Sequence, residues 1–291
     1  KHSNVFLVKN SQKIVSSGFN KALNKARGKI IIRVDGHCKI PKNYLEKCCK
    51  LLEERDAAIT GGVIETVSSG LLGNAISIAQ STIFGVGGVK FRNKNNNIDG
   101  SYVDTLAFGA HKRSIFIEVG GYDEELVCNQ DDEFNYRVLQ SGKKIWMDPS
   151  IKTQYYARQS FFKLSKQYFN YGFYKVRGIQ KRGSVFSIRH LIPVTFIFLL
   201  NATIISGIYF QSTLLTLSIV SLYMILNIFA SILASPNFKL THLIFLSYVI
   251  LHFSYGLGFL WGMIRFLNKW QDTKLKDCTF NRDQFLHNSL N

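Results

Sequence analysis

The stretch Lys29-Ile30-Ile31-Ile32-Arg33-Val34-Asp35-Gly36-His37 decides how this 291-residue chain is read. Lys29–Val34 is a continuous run rich in β-branched residues, the composition of a strand buried on both faces. It ends directly in an acid, a glycine and an imidazole. Open α/β sheets hold their ligands at the carboxyl ends of their strands, which is where these polar groups fall. Outward from this strand, apolar runs alternate with helical patterns. Val5–Val8 reads as a strand, and Ser16–Ala26 as a helix with Gly28 just past its end. Tyr44–Arg55 reads as a helix led by Pro41, and Ala57–Val63 as a strand. Phe108–His111 is a strand followed by a helix over Arg113–Val119, and Asp131–Gln140 is a helix before a short strand at Lys144–Met147. The alternation predicts an α/β domain over residues 1–150 with a mostly parallel sheet.

Two clusters in this domain carry candidate chemistry. Asp35 and His37, two residues apart at a strand end, suit one divalent cation, since Mg²⁺ or Mn²⁺ on a diphosphate needs only one or two protein ligands. The other reading of the same residues is an aspartate capping the turn beside a surface histidine. Asp131-Asp132-Glu133 opens a helix, where acids complement the helix dipole. One of these carboxylates facing a cleft would serve as a general base. Cys48-Cys49 lies on a helix and reads as core. Asn93–Asn97 and Gly85-Val86-Gly87-Gly88 read as loops.

Charge divides the chain further. Lys and Arg number 36 against 19 Asp and Glu, a net +17, and the mean hydropathy of +0.04 averages two unlike parts. Residues 1–190 hold 30 basic and 16 acidic side chains, whereas the 48 residues from Leu191 to Phe238 hold no charge. That run is more than twice the ~20 residues that cross a bilayer. It divides into Leu191–Phe210 and Leu214–Ala234, with a third apolar segment at Leu240–Ile264 after the break at Ser235-Pro236-Asn237-Phe238-Lys239. The 46% hydrophobic content excludes disorder, and five cysteines without repeated spacing exclude a secreted disulfide scaffold. Residues 151–190 contain nine Lys or Arg, no acid, and ten interleaved Tyr and Phe. That composition suits a lipid headgroup layer better than nucleic acid, and no nucleic-acid partner is expected. Lys175, Arg177, Lys181, Arg182 and Arg189 precede the first span, so the positive-inside rule places residues 1–190 in the cytoplasm of a multi-pass cell-membrane protein. The third segment either crosses, leaving the polar tail 265–291 outside, or lies at the interface and returns the tail to the cytoplasm. Lys1–Asn10 has no apolar core of the length a signal peptide needs.

An ordered series of motifs adds a resemblance. It runs through Ser17-Gly18-Phe19-Asn20, Ala26-Arg27-Gly28, Arg33-Val34-Asp35-Gly36-His37, Phe84-Gly85-Val86-Gly87 and Val103-Asp104-Thr105. It continues through Phe108-Gly109-Ala110, Gly120-Gly121-Tyr122-Asp123-Glu124-Glu125, Asn129-Gln130-Asp131-Asp132-Glu133-Phe134-Asn135-Tyr136-Arg137 and Lys144-Ile145-Trp146. Together these resemble a family 2 glycosyltransferase of the GT-A fold, near the succinoglycan-biosynthesis ExoA-like subgroup. The resemblance covers about residues 3–190. It implies a Rossmann-like catalytic domain over residues 1–150, to which composition and charge add a membrane-interface segment over 151–190, transmembrane helices over 191–264 and a tail over 265–291.

The resemblance also implies roles. Asp35-Gly36-His37 stands for the family's Asp-x-Asp, with Asp35 and His37 as ligands to Mn²⁺ or Mg²⁺ on a UDP-sugar donor. Arg33, Ser17 and Asn20 fall on the donor side, and Phe108, Gly109 and Ala110 on the acceptor side. Asp131 is the expected catalytic base, with Asp132 the alternative. The implied reaction moves a hexose from a UDP-sugar to a lipid-linked saccharide in exopolysaccharide or surface-glycan synthesis. The Gln-x-x-Arg-Trp element of processive relatives is absent, since Asn170 and Tyr171 follow Gln167, so addition of one sugar is expected. The family's Pro-x-x-Asn-Glu and Asp-Asp-Gly-Ser segments are absent too, and the chain reads as a domain lacking its first strands. Two other readings stay open on the sequence: a transferase acting directly on a membrane lipid, and an inactive membrane scaffold.

Overall fold

The computed structural model describes residues 5–88, 99–184 and 188–288. The Asn93–Asn97 loop lies outside them. Helix α1 (Val15–Leu23) leads into the decisive strand, β1 (Ile30–Ile32), then the two-residue β2 (Cys38–Lys39) and helix α2 (Tyr44–Glu54). Strand β3 (Ile59–Val67) is followed by α3 (Gly70–Ala79), α4 (Ile83–Val86), β4 (Ser101–Tyr102) and β5 (Ala110–Lys112). Helices α5 (Arg113–Val119) and α6 (Gln130–Gln140) precede β6 (Ile145–Tyr156). The expected α/β domain is present, but Val5–Val8 forms no strand and is mostly exposed.

Sheet order is β1-β5-β3-β6-β2, with β4 also on β6. β1, β3 and β6 point one way, yet β3 with β6 is the one parallel pairing among the described residues. The sheet is therefore mixed rather than mostly parallel. The cause is β5, which inserts between β1 and β3 and runs against both. β2 and β4 are short reversed pieces on long β6. β6 continues through Tyr156, well past the short strand expected at Lys144–Met147. The pairing steps from Gly62–Asp148 to Val63–Lys152. Pro149 thus sits in a bulge, where its missing N–H costs no ladder bond. Gly62 faces this bulge, and a Cβ there would collide with the Ile151 carbonyl.

One sheet face packs Ile59, Ile145 and Met147 against Phe116 and Phe134 of α5 and α6. The other packs Trp146 and Ile151 against Tyr44, Cys48, Leu51 and Leu52 of α2. Cys48 is core, as its sequence context indicates.

Helix α7 (Phe161–Arg182) leaves the sheet, followed by α8 (Ile192–Tyr209), α9 (Leu214–Ala234), α10 (Phe238–Arg265) and the short α11 (Arg282–His287). Three helices have the length and apolarity to cross a membrane: Ile188–Tyr209, Leu214–Ala234 and Phe238–Arg265. They are not equivalent. In the first two, 11% of the apolar window is buried, against 44% in α10. α10 runs parallel to α7, with Ser165 beside Ser254, Phe169 beside Gly258 and Phe173 beside Gly262. The helices meet backbone to backbone, since a Cβ on Gly172 would strike the Tyr255 carbonyl and one on Gly258 the Phe169 carbonyl. The start of α10 packs Leu240, Ile244 and Tyr248 on Ile76 and Ala79 of α3. Gly85-Val86-Gly87-Gly88 is partly α4 rather than a loop, and Phe84 packs edge-on to Tyr248 and His252 of α10.

The tail after α10 returns to the α/β domain. Phe285 is 0% exposed within the domain core, under the Arg113 guanidinium at 3.6 Å. Gly121 N–H donates to Asp277 at 2.9 Å, and the Thr279 hydroxyl donates to Glu124 at 2.6 Å. Arg177 of α7, 0% exposed, joins Glu125 at 2.7 Å and Asp272 at 3.2 Å. Glu125 also takes Lys181, Lys269 and Lys276. Burial opposes its charge, but these cations hold its carboxyl far below the usual range. The acids of Gly120-Gly121-Tyr122-Asp123-Glu124-Glu125 thus fasten α1, α7 and the tail together.

Candidate active site

A cavity of about 920 Å³ opens between the sheet and helices α7 to α10, and Arg33, Asp35, His37, Phe108, Asp131 and Asp132 line it. β1 delivers the first three at its carboxyl end. Arg33 grips Asp35 at two points, Nε to Oδ1 at 3.0 Å and an Nη to Oδ2 at 3.3 Å. Its guanidinium also lies 5.6 Å from the Tyr122 ring centre and 6.0 Å from that of Phe108. Burial disfavours the Arg33 charge, yet Tyr122, Asp131 and Asp35 outweigh burial and raise its pKa. Phe108 holds a left-handed backbone, φ +58°, which an aromatic residue adopts only when its surroundings enforce it. The Tyr44 hydroxyl donates to its carbonyl and supplies part of that constraint.

His37 is open to solvent and sets its ring against Tyr155 at 5.0 Å. Partial burial, with Arg158 and Arg33 adding, lowers its pKa against the pull of Asp35, so it is a neutral imidazole at pH 7. Among the described residues no three His, Cys, Asp or Glu side chains gather at one point. A carboxylate and a neutral imidazole beside the cavity fit a cation that brings phosphate and water ligands of its own.

The acids of α6 divide into two kinds. Asn129 enters the left-handed region at φ +63° and turns the first turn of the helix toward the cavity. Asp132 is fixed: Lys175 of α7 donates to Oδ2 at 2.7 Å and the Thr105 hydroxyl to Oδ1 at 2.8 Å. Asn135 in turn donates to Thr105 at 3.0 Å. Burial opposes its charge, but Lys175 and Thr105 hold the Asp132 carboxyl low, at about 2. Asp131 accepts the Asp132 N–H at 3.0 Å. Burial, then the neighbouring Asp132 charge, pushes its carboxyl above the ordinary aspartate range, with Arg33 and Lys175 opposing. Two adjacent carboxylates with diverging affinities for a proton make a fixed anion and a group able to take one.

Four expected site residues lie elsewhere. Asn20, fully buried, donates to the Tyr122 carbonyl at 2.8 Å and to Glu124 at 2.9 Å, and accepts the Tyr122 N–H. Ser17, also fully buried, donates to Asn10 at 2.9 Å. Neither lines the cavity; both moor α1. Gly109 packs on Ile59, and Ala110 is buried in β5 pairing, so only Phe108 of that trio reaches the cavity.

Thr105, Lys175, Gln130 and Tyr255 were missed from the sequence. Gln130 is 6% exposed, and its Oε1 lacks a hydrogen-bond partner among the described residues while facing the cavity. One signal for Lys175 was present: nine cations without an acid over residues 151–190. Three of them, Lys175, Arg177 and Lys181, meet acids of the α/β domain rather than lipid headgroups.

Residues 1–118 match the family described as glycosyl transferase family 2. Over these residues the chain is similar to family 2 glycosyltransferase domains. Its relatives include the succinoglycan biosynthesis protein ExoA of Rhizobium meliloti (strain 1021), 30% identical over 197 residues, 65% of this chain and 57% of that protein. A second is the dolichyl N-acetyl-alpha-D-glucosaminyl phosphate 3-beta-D-2,3-diacetamido-2,3-dideoxy-beta-D-glucuronosyltransferase of Methanococcus voltae. It is 26% identical over 211 residues, 70% of this chain and 64% of that protein. The chain thus spans about three-fifths of the length of each of these two relatives.

Proposed function

We propose that the protein is a membrane-bound inverting glycosyltransferase that moves a hexose from a UDP-sugar to a lipid-linked acceptor in surface-glycan synthesis. The observation that carries this reading is the division between Asp132, fixed by Lys175 and Thr105, and Asp131, whose proton affinity is raised beside it. Asp131 takes the proton of the acceptor hydroxyl as that oxygen attacks the anomeric carbon. The nucleotide diphosphate leaves from the opposite face, so one displacement inverts the configuration. Arg33 orients the donor phosphates, and Asp132 keeps Lys175 in place. Asp35 and His37 would hold Mn²⁺ or Mg²⁺, which neutralises the departing diphosphate.

The acceptor is lipid-linked in this reading because α8, α9 and α10 contribute to the wall of the cavity that Asp35 and Asp131 line. Residues 1–190 lie in the cytoplasm, and the tail, folded onto the α/β domain, lies with them. An even number of crossings follows, supplied by α8 and α9, with α10 held along α7 at the membrane face. The test is UDP binding with and without Mn²⁺, beside Asp35→Ala. Mn²⁺-dependent binding weakened by Asp35→Ala supports the reading; absence of any nucleotide binding favours the scaffold.

A further inference from the structure

The cavity is also lined by residues to which the donor reading gives no role. They include Arg189 and His190, ahead of α8, and Tyr255 of α10. Two features there point to an anion. Tyr255 is 9% exposed, and its hydroxyl has no hydrogen-bond partner among the described residues. A buried hydroxyl left without a partner is costly and marks a missing one. Arg189 Nε is likewise buried without a partner, and no carboxylate pairs with Arg189 among the described residues. Arg189, Tyr255 and Asp132 all line this one cavity. Lys175 already neutralises Asp132, so the excess charge of these residues is positive.

Past these donors the lining turns apolar. Pro193 and Phe196 of α8, Leu226 of α9 and Leu251 of α10 continue the wall toward the segments able to cross a membrane. Phe196 stacks on Tyr223 of α9 at 4.6 Å, which holds the two helices together. A cation and an orphan hydroxyl at the head of an apolar channel match an amphiphile with an anionic head.

We propose that this part of the cavity binds the phosphate of a membrane lipid, with Arg189 and the Tyr255 hydroxyl donating to the phosphate oxygens and the chain lying between α8, α9 and α10. This deepens the lipid-linked acceptor reading and rests on it. It makes α10 part of the acceptor site, placing the acceptor's reactive end beside Asp131.

The experiment uses the purified protein in nanodiscs with three probes: a polyprenyl phosphate, the uncharged polyprenol and inorganic phosphate. Arg189→Gln and Tyr255→Phe are run beside wild type, and UDP binding is measured on every sample. Polyprenyl phosphate is expected to bind, about 10–100-fold weaker in Arg189→Gln and about 3–10-fold weaker in Tyr255→Phe. Polyprenol and inorganic phosphate are expected to bind at least tenfold more weakly than polyprenyl phosphate. Equal binding of polyprenol, equal binding of inorganic phosphate, or indifference to both substitutions overturns the proposal. UDP binding without lipid-phosphate binding refutes this site alone. Lipid-phosphate binding that depends on Arg189, without UDP binding, keeps this site and refutes the transferase reading.

Discussion

Replacing Lys175 by Met removes the cation on which Asp132 depends. The pair is 2.7 Å long, with 4% of the Lys175 side chain and 23% of the Asp132 side chain exposed. At an effective dielectric of about 20 the attraction is about 6 kcal/mol, before the desolvation of both ions is subtracted. Leaving a buried partner uncompensated costs ~3–5 kcal/mol. Over a domain of this size that is a fall of roughly 6–20 °C in Tm. Adding Asp132→Asn keeps an acceptor for Thr105 and removes the stranded charge. The double variant is therefore expected to regain most of the loss, ending within ~1–2 kcal/mol of wild type. The sign with pH follows from the depressed carboxyl. Wild type holds this stability above the ordinary aspartate value of ~3.9 and loses it as pH falls toward about 2, whereas Lys175→Met lacks that contribution throughout. Thermal unfolding of the four proteins of the cycle, repeated over pH, is the assay. A single variant within ~1 kcal/mol of wild type, or a double variant no more stable than the single, would refute the reasoning.

Asp131→Asn is expected to stabilise the protein at neutral pH by about 0.5–2 kcal/mol, because it removes a buried charge beside Asp132; differential scanning calorimetry checks the sign. In wild type the raised Asp131 pKa puts the acid limb of transfer above that of an ordinary aspartate, and a pH–rate profile with its limb near ~4 would contradict it. Phe285→Ala is expected to cost ~3–5 kcal/mol and free the tail from the domain, seen as faster proteolysis at Lys274 and Lys276. Gly172→Ala forces a Cβ onto the Tyr255 carbonyl and is expected to cost ~1–3 kcal/mol in Tm measurements. Exposed Cys278 is expected to react with an impermeant maleimide only from the side that holds the α/β domain; labelling from the other side removes the even-crossing topology.

Elements set by local pattern were legible. The three isoleucines of β1, the uncharged runs of α8 and α9, and the Arg113–Val119 helix all lie where apolar period and flanking breakers put them. Strand direction was not legible, since nothing in Phe108-Gly109-Ala110 states that β5 slots between β1 and β3 in reverse. The extent of β6 was not legible, because apolar residues mark only Lys144–Met147 and the strand resumes beyond the bulge that holds Pro149. The site was half legible. Asp35, His37, Asp131 and Asp132 carry their chemistry in short motifs, but Lys175 and Tyr255 reach the cavity only through the α7–α10 packing. That packing is written in Gly172, Gly258 and Gly262, glycines that an apolar segment conceals. Ser17 and Asn20 show the converse: polar residues in a motif that serve to hold α1 in place.

The most direct test of the account separates binding from transfer at Asp131. Radiolabelled UDP-hexoses are supplied to the protein in membranes with a lipid extract, and both UDP affinity and lipid-borne label are measured for wild type and Asp131→Asn. Unchanged UDP affinity with transfer reduced at least ~10²-fold is the expected result. Transfer by Asp131→Asn at the wild-type rate would contradict the assignment of Asp131 as the base.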